Sequence, residues 1–307
     1  MSSKLSQSAL RLLRPVTAFT TLAIAPASAL AQDGGWTVDP YLRLGAQVTV
    51  AENAVRDDEE GLDSDGISLN VEPGITAENG DLSVTVRNRA RRIEYFDDQR
   101  EDLWRNLLGG EVTYQTDENG AVSAFADYGW NLTTAEFPRA DQVEIGGQVE
   151  RRFGDEHRLR GGASWRERDY DDLARSSGSG PRLDGQYRYR LGANHYLYLD
   201  GRYESIGSDL ERRDMERFIV STSYQRPLAR DLRIRPQLSY RDLRFPGRIE
   251  ADGQPRRDTI LIPELSFIYS PGDWFFVSEF RYNIRNSNDK ERQDDGYRIA
   301  LSVSRAF

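Results

Sequence analysis

The 307-residue chain contains no cysteine, two histidines, two methionines and only two lysines, Lys4 and Lys290. The missing cysteine excludes disulfides, thiolate metal sites, thiol nucleophiles and a lipid-bearing N-terminal cysteine together. No stretch carries the roughly 20 consecutive apolar residues that a membrane-spanning helix needs. A formal charge of −9, from 41 basic against 50 acidic residues, argues against a nucleic-acid partner. What the chain does have is arginine, which supplies 39 of the 41 basic residues.

The N-terminus reads as an export signal. Lys4, Arg11 and Arg14 precede a short apolar stretch from Val16 to Ile24, which ends in Ala29-Leu30-Ala31 before Gln32. That order of basic, apolar and small residues predicts a signal peptide over 1–31, with the functional domain over 32–307. Cleavage there removes three positive charges and no negative ones, so the remaining 276 residues carry −12.

From Gln32 onwards one pattern recurs, and its period is two. Leu82 to Arg91 alternates apolar or small residues with polar ones and sets three arginines on one face; Leu232 to Arg241, Leu183 to Leu191 and Gly296 to Phe307 behave alike. Six short turn signals, among them Glu78-Asn79-Gly80-Asp81, Asp117-Glu118-Asn119-Gly120, Ala193-Asn194-His195 and Ser270-Pro271-Gly272-Asp273, alternate with seven longer polar connections. Thirteen connections of alternating length join fourteen strands. This predicts an all-β, antiparallel transmembrane barrel of the outer membrane, with short periplasmic turns and longer extracellular loops, because every backbone group must be paired in lipid. A soluble exported sandwich would also alternate, but has no reason to alternate its loop lengths or to reserve one face of each strand for arginine.

The final strand places Tyr297, Ile299, Leu301, Val303 and Phe307 on one face. That pattern resembles the signal by which outer-membrane barrels are recognised for assembly, and it implies the barrel-assembly machinery and outer-membrane lipids as partners. Aromatic residues gather near the expected strand ends: Trp36, Tyr41, Tyr114, Phe153, Tyr269 and Trp274 on one side, and Tyr128, Trp130, Tyr203, Tyr240 and Tyr282 towards the other. Two interfacial girdles would look like this.

If the apolar face meets lipid, the other lines the lumen. Parity puts Arg43, Arg87, Arg89, Arg91, Arg160, Arg166, Arg188, Arg190, Arg202, Arg233, Arg235, Arg241, Arg281 and Arg298 inside as channel-lining residues. It also puts Glu72, Glu111, Asp127, Glu144, Glu150, Asp184, Asp200, Glu204, Glu264 and Glu279 there, which leaves the wall net positive within an acidic chain. Guanidinium stays ionised and forks onto carboxylates or phosphates, so successive arginines suit passage of small anionic solutes. The competing structural role is cross-strand pairing of the same arginines with neighbouring acids.

Catalysis and cofactor chemistry find little in the sequence. His157 and His195 fall in or beside short turns, away from any serine-histidine arrangement. The stretch Gly61 to Gly66, through to Glu72, only partly imitates a calcium loop, and Asp57 to Glu60 read as a solvated acidic loop. No metal site, cofactor motif or enzymatic activity is expected.

The last hairpin, Phe280 to Asn288 followed by Tyr297 to Phe307, resembles that of surface lipoprotein assembly modifier barrels. The resemblance covers about a tenth of the chain. It implies, as an alternative to a porin-like pore, an export or assembly barrel acting with a separate periplasmic partner; a purely structural or adhesive barrel is the third reading.

Overall fold

Each alternating segment forms a strand in the computed structural model, which describes residues 35–54, 64–97, 100–136, 139–171 and 175–307. The expected signal peptide, the acidic run Asp57 to Glu60 and the start of the calcium-like loop lie outside the described residues. The strands are β1 (Thr37–Glu52), β2 (Gly66–Asn79), β3 (Leu82–Tyr95), β4 (Leu103–Asp117), β5 (Gly120–Leu132), β6 (Ala140–Phe153), β7 (His157–Tyr170), β8 (Ser177–Gly192), β9 (His195–Ser208), β10 (Met215–Pro227), β11 (Leu232–Ile249), β12 (Pro255–Tyr269), β13 (Trp274–Ser287) and β14 (Gly296–Ala306). A strand of 14 residues is about 46 Å long at ~3.3 Å per residue, enough to cross a bilayer at the usual tilt.

Every strand pairs antiparallel with its sequence neighbours, and β1 pairs with β14, so the sheet closes into a barrel. Closure runs from Arg43 opposite Ala306 to Glu52 opposite Tyr297. Phe307 continues it: its N–H donates to the Leu42 carbonyl at 2.9 Å, and the Leu42 N–H donates to its carbonyl at 3.2 Å. A closed sheet leaves no unpaired edge, which is the condition for strands in lipid. No described helix is long and apolar enough to cross a membrane.

The connections follow the expected alternation, with two to four residues at one end of the barrel and five to thirteen at the other. Tight turns need backbone in the left-handed region, and Gly80 and Asn194 supply it with φ of 58° and 62°.

The outward face is apolar. Ile145, Val149, Leu159, Leu183, Leu199 and Leu301 are each about half exposed, as side chains of a lipid-facing belt are. Tyr114, Phe153, Tyr269 and Trp274 stand outward at the turn end, and Trp130, Tyr203, Tyr240 and Tyr282 towards the loop end. Tyr41 departs from the expected girdle. It shares a face with the inward Arg43, and its ring covers Gly74, where an added Cβ would fall 2.3 Å from the ring. The aromatic ring here replaces the side chain that glycine lacks.

The inward face is not uniformly polar. Ile206, Met215, Leu243, Phe245, Ile260 and Ile262 form a buried apolar cluster inside the loop-side half of the barrel, with Ala135 packed on it. The β5–β6 connection therefore turns into the barrel: Thr134 is wholly buried and Glu136 nearly so. Nothing in the polar sequence of this loop signals the inward turn, and its length reads as too short for a plug.

Candidate functional site

The barrel interior gathers the chain's arginines because successive side chains of a strand point to opposite faces. All fourteen sequence-predicted arginines fall on inward positions. Arg87, Arg89, Arg91, Arg160, Arg166, Arg202 and Arg241 line a cavity of about 840 Å³. Arg43, Arg235, Arg281 and Arg298 line an adjoining one of about 470 Å³, which shares Asn70, Arg89, Arg91 and Gln237 with the first. Arg188, Arg190 and Arg233 stand nearer the turns and outside both cavities. Arg188 lies over the Tyr196 ring at 5.2 Å, Arg190 donates to the Gly192 carbonyl at 3.3 Å, and Arg233 donates to Ser270 Oγ at 2.8 Å.

Much of this wall is paired. Glu72 accepts from Arg43 Nη1 at 3.0 Å and from Arg89 Nε at 2.6 Å. Glu264 accepts from Arg281 at 2.8 Å and Glu279 from Arg298 at 2.9 Å, while Asp184 accepts from Arg202 Nε at 2.8 Å. Pairing does not exhaust the positive charge. Across the two cavities thirteen arginines face eight carboxylates, an excess of five. Arg91 donates to Gln47 Oε1 at 2.8 Å and Ser68 Oγ at 3.0 Å, with no carboxylate among its bonded partners, and Arg235 faces the second cavity without an ion pair among the described residues. The neighbouring guanidinium groups of Arg89, Arg105 and Arg298 add like charge around Arg91.

The interior is graded along its length. Towards the turns the side chains are open to solvent, Arg43 by 53% and Arg89 by 49%. Towards the loops the inward side chains are buried on nearly every strand, from Thr49 and Ser68 through Ile93, Arg105, Gln142 and Arg166 to Ile260 and Asn283. On β5 and β8 the inward positions Gly129, Gly178 and Gly180 have no side chain, and at Gly129 the Leu132 side chain occupies the space.

A buried ion network fills the middle of that half. Glu204 is 0% exposed and accepts from Arg166 Nη1 and Arg168 Nη2, both at 2.8 Å, and from Arg217 Nε at 3.0 Å. Arg166 Nε also donates to Glu144 at 3.0 Å. Arg168 reaches Glu136 on the inturned loop, and the Tyr170 hydroxyl donates to the same Glu136 oxygen at 2.9 Å. Arg105 holds the loop at Thr133, and Arg248 donates to the Glu136 carbonyl at 2.8 Å. Three guanidinium groups and three carboxylates balance here, which is the arrangement that lets charge sit in a low-dielectric interior.

The sequence reading missed Arg105, Arg158, Arg168, Arg182, Arg217, Arg256 and Arg285, which also face inward. For Arg168 a signal exists, since it shares parity with Arg166 on β7. For Glu136 there is none, because an inturned loop has no local signature.

The assembly-signal residues Tyr297, Ile299, Leu301, Val303 and Phe307 occupy the outward face of β14 and its end, with Leu301 and Phe307 more than half exposed. Arg305 lies over both the Trp274 and Phe307 rings, at 5.3 and 4.5 Å. His157 Nδ1 shares a 2.7 Å hydrogen bond with Tyr187, and His195 Nδ1 a 3.2 Å bond with Tyr224, on the outer face beside the turns. Among the described residues no three His, Asp or Glu side chains are grouped to hold a metal.

No family model and no curated protein matches the chain. Solved structures do match. A loop-deletion variant of OmpT, an outer membrane protein of Vibrio cholerae, superposes with a TM-score of 0.54 at 11% identity, covering 89% of this chain and 100% of that one. An anion-selective porin from Comamonas acidovorans gives 0.53 at 9% identity over 89% and 100%, and the outer membrane channel DcaP of Acinetobacter baumannii 0.50 at 10% over 90% and 99%. At these identities the likeness is one of fold. A closed fourteen-strand antiparallel barrel with an apolar outer belt, aromatic ends and the architecture of outer-membrane barrels is an outer-membrane protein.

Proposed function

We propose that this barrel is a porin-like channel for small anionic solutes such as organic acids or acidic sugars, and not an enzyme. The observation that carries the reading is the excess of five positive charges on the cavity walls, with Arg91 and Arg235 left without carboxylates inside a chain that is acidic overall. An arginine wall exists only because charge is segregated by location, and it raises the local concentration of anions. The anion-selective porin of the same fold agrees with the reading. Outer-membrane lipids around the belt, the assembly machinery reading β14, and export through the signal peptide at 1–31 complete it.

The buried loop-side network gives such a channel a narrow outer half and a wide inner vestibule. The test is single-channel conductance of the refolded protein in planar bilayers. A stable current that weakens in Arg91→Ser and Arg235→Ser supports the channel. Silence from a well-folded barrel contradicts it and favours an export barrel working with a periplasmic partner, in the manner of the surface lipoprotein assembly modifiers.

A further inference from the structure

The packed half of the lumen has two different sectors. Along β7 and β9 to β12 it is sealed by the Glu204 network and by the apolar cluster from Ile206 to Ile262. Along β13, β14 and β1 it is more polar, and some of the polar groups there are left unmatched. Asn283 is 1% exposed, yet neither its Oδ1 nor its Nδ2 has a hydrogen-bond partner among the described residues. Thr49 Oγ1, on a residue 0% exposed, is likewise unmatched, as is the Nε group of Arg285.

Dry burial of such groups is costly, because each gives up its hydrogen bonds to water and gains none in return. A wall meant only to seal would carry apolar side chains here, as the adjacent inward positions Ile260 and Ile262 on β12 do. The unmatched groups also form a line. Arg281, Asn283 and Arg285 occupy successive inward positions of β13, about 6.6 Å apart along the strand. Arg281 lines the second cavity and pairs in register with Arg298, Asn283 pairs with Gly296, whose side-chain position is taken by the Asn53 backbone, and Arg285 continues towards the loops. Unmatched buried atoms occur elsewhere on the wall, but among the described residues only Asn283 has two of them on one side chain, and a buried amide with neither group matched is where water or an ion is held.

We propose that Asn283 is the selectivity point of a hydrated, off-centre seam along β13, by which the small anions of the channel pass from the Arg281 and Arg298 end of the cavity to Arg285. The Glu204 sector stays closed. The amide of Asn283 replaces part of an anion's hydration through Nδ2, between the guanidinium groups of Arg281, which is paired with Glu264, and Arg285. This inference rests on the channel reading and specifies its route.

The chain has no cysteine, so a single introduced thiol reports cleanly. Asn283→Cys and Ile262→Cys, each checked for folding by heat-modifiable migration, are exposed in vesicles to 2-sulfonatoethyl methanethiosulfonate and to its trimethylammonium counterpart. The seam predicts that the thiol of Asn283→Cys is modified at least tenfold faster by the anionic reagent than by the cationic one, while the thiol of Ile262→Cys is protected. It also predicts that Asn283→Leu loses most of the single-channel anion current. Protection of the thiol in Asn283→Cys, or equal rates for both reagents, overturns the seam. If wild-type protein still carries an anion current in that case, the channel reading stands and only its route is wrong; a wild-type barrel with no anion current overturns the channel reading itself.

Discussion

Replacing Glu204 by glutamine changes almost no volume and removes one charge from a cluster of three guanidinium groups and three carboxylates. The side chain is fully buried and accepts from Arg166, Arg168 and Arg217. Glutamine keeps one acceptor oxygen and turns the other into a donor that faces guanidinium donors, so at least one arginine loses its partner while one positive charge goes uncompensated. Breaking a buried pair in this way costs about 3 to 5 kcal/mol. Guanidinium unfolding in lipid vesicles, followed by tryptophan fluorescence, reads the loss: with a slope of about 4 kcal/mol per molar, the midpoint falls by about 1 M. The contrast is Asp117→Asn, which breaks the 2.5 Å pair with Arg151 where both side chains are nearly half exposed. Solvent already screens that pair, so its loss leaves the midpoint close to that of the wild type. A Glu204→Gln midpoint that is likewise unmoved, with unchanged slope, refutes the claim that this network holds the loop-side half together.

Other consequences can be measured on the same protein. Glu136→Gln removes the loop's charge opposite Arg168, so protease cleavage within 133–139 of folded protein accelerates, while an unchanged rate means that the loop is held otherwise. Gly74→Ala pushes a Cβ into the Tyr41 ring and lowers stability by about 1 to 3 kcal/mol, and Tyr41→Ala in the same chain restores part of the loss; no rescue contradicts the pairing. Gly247→Val drives a side chain into the backbone at Glu211 and Arg212, so the β9–β10 connection must leave its seat, which amide exchange there reports as lost protection. Deleting Phe307 removes its two backbone bonds to Leu42 and the aromatic partner of Arg305, so the yield of heat-modifiable barrel in outer membranes falls, and an unaltered yield argues against an assembly role for the last residue.

The architecture is legible in the sequence because period two, loop-length alternation and turn chemistry are local signals that agree with one another. Asn79-Gly80 and Ala193-Asn194 mark turns that the fold uses, and parity alone sends Arg87, Arg89 and Arg91 to the inside. What parity does not say is how the inward side chains meet across the lumen. Arg166 reads the same as Arg89 in the sequence, but Arg166 is buried in the Glu204 network and Arg89 is half solvated. The apolar cluster does leave one trace. Ile260-Leu261-Ile262 is apolar at consecutive positions, which is how a strand reads when one face meets lipid and the other a packed apolar interior. Tyr41 reads as a girdle residue because aromatic side chains near strand ends are usually interfacial; the glycine opposite it is the feature that marks its inward turn.

The central claim is that an acidic chain presents a positive interior that selects anions. The reversal potential of the wild-type barrel under a potassium chloride gradient tests it most directly. The account predicts a potential of the sign set by chloride, with anion permeability several times that of potassium and a lower ratio in the Arg91→Ser, Arg235→Ser double variant. A potential of the opposite sign, or one unchanged by the double variant, contradicts it.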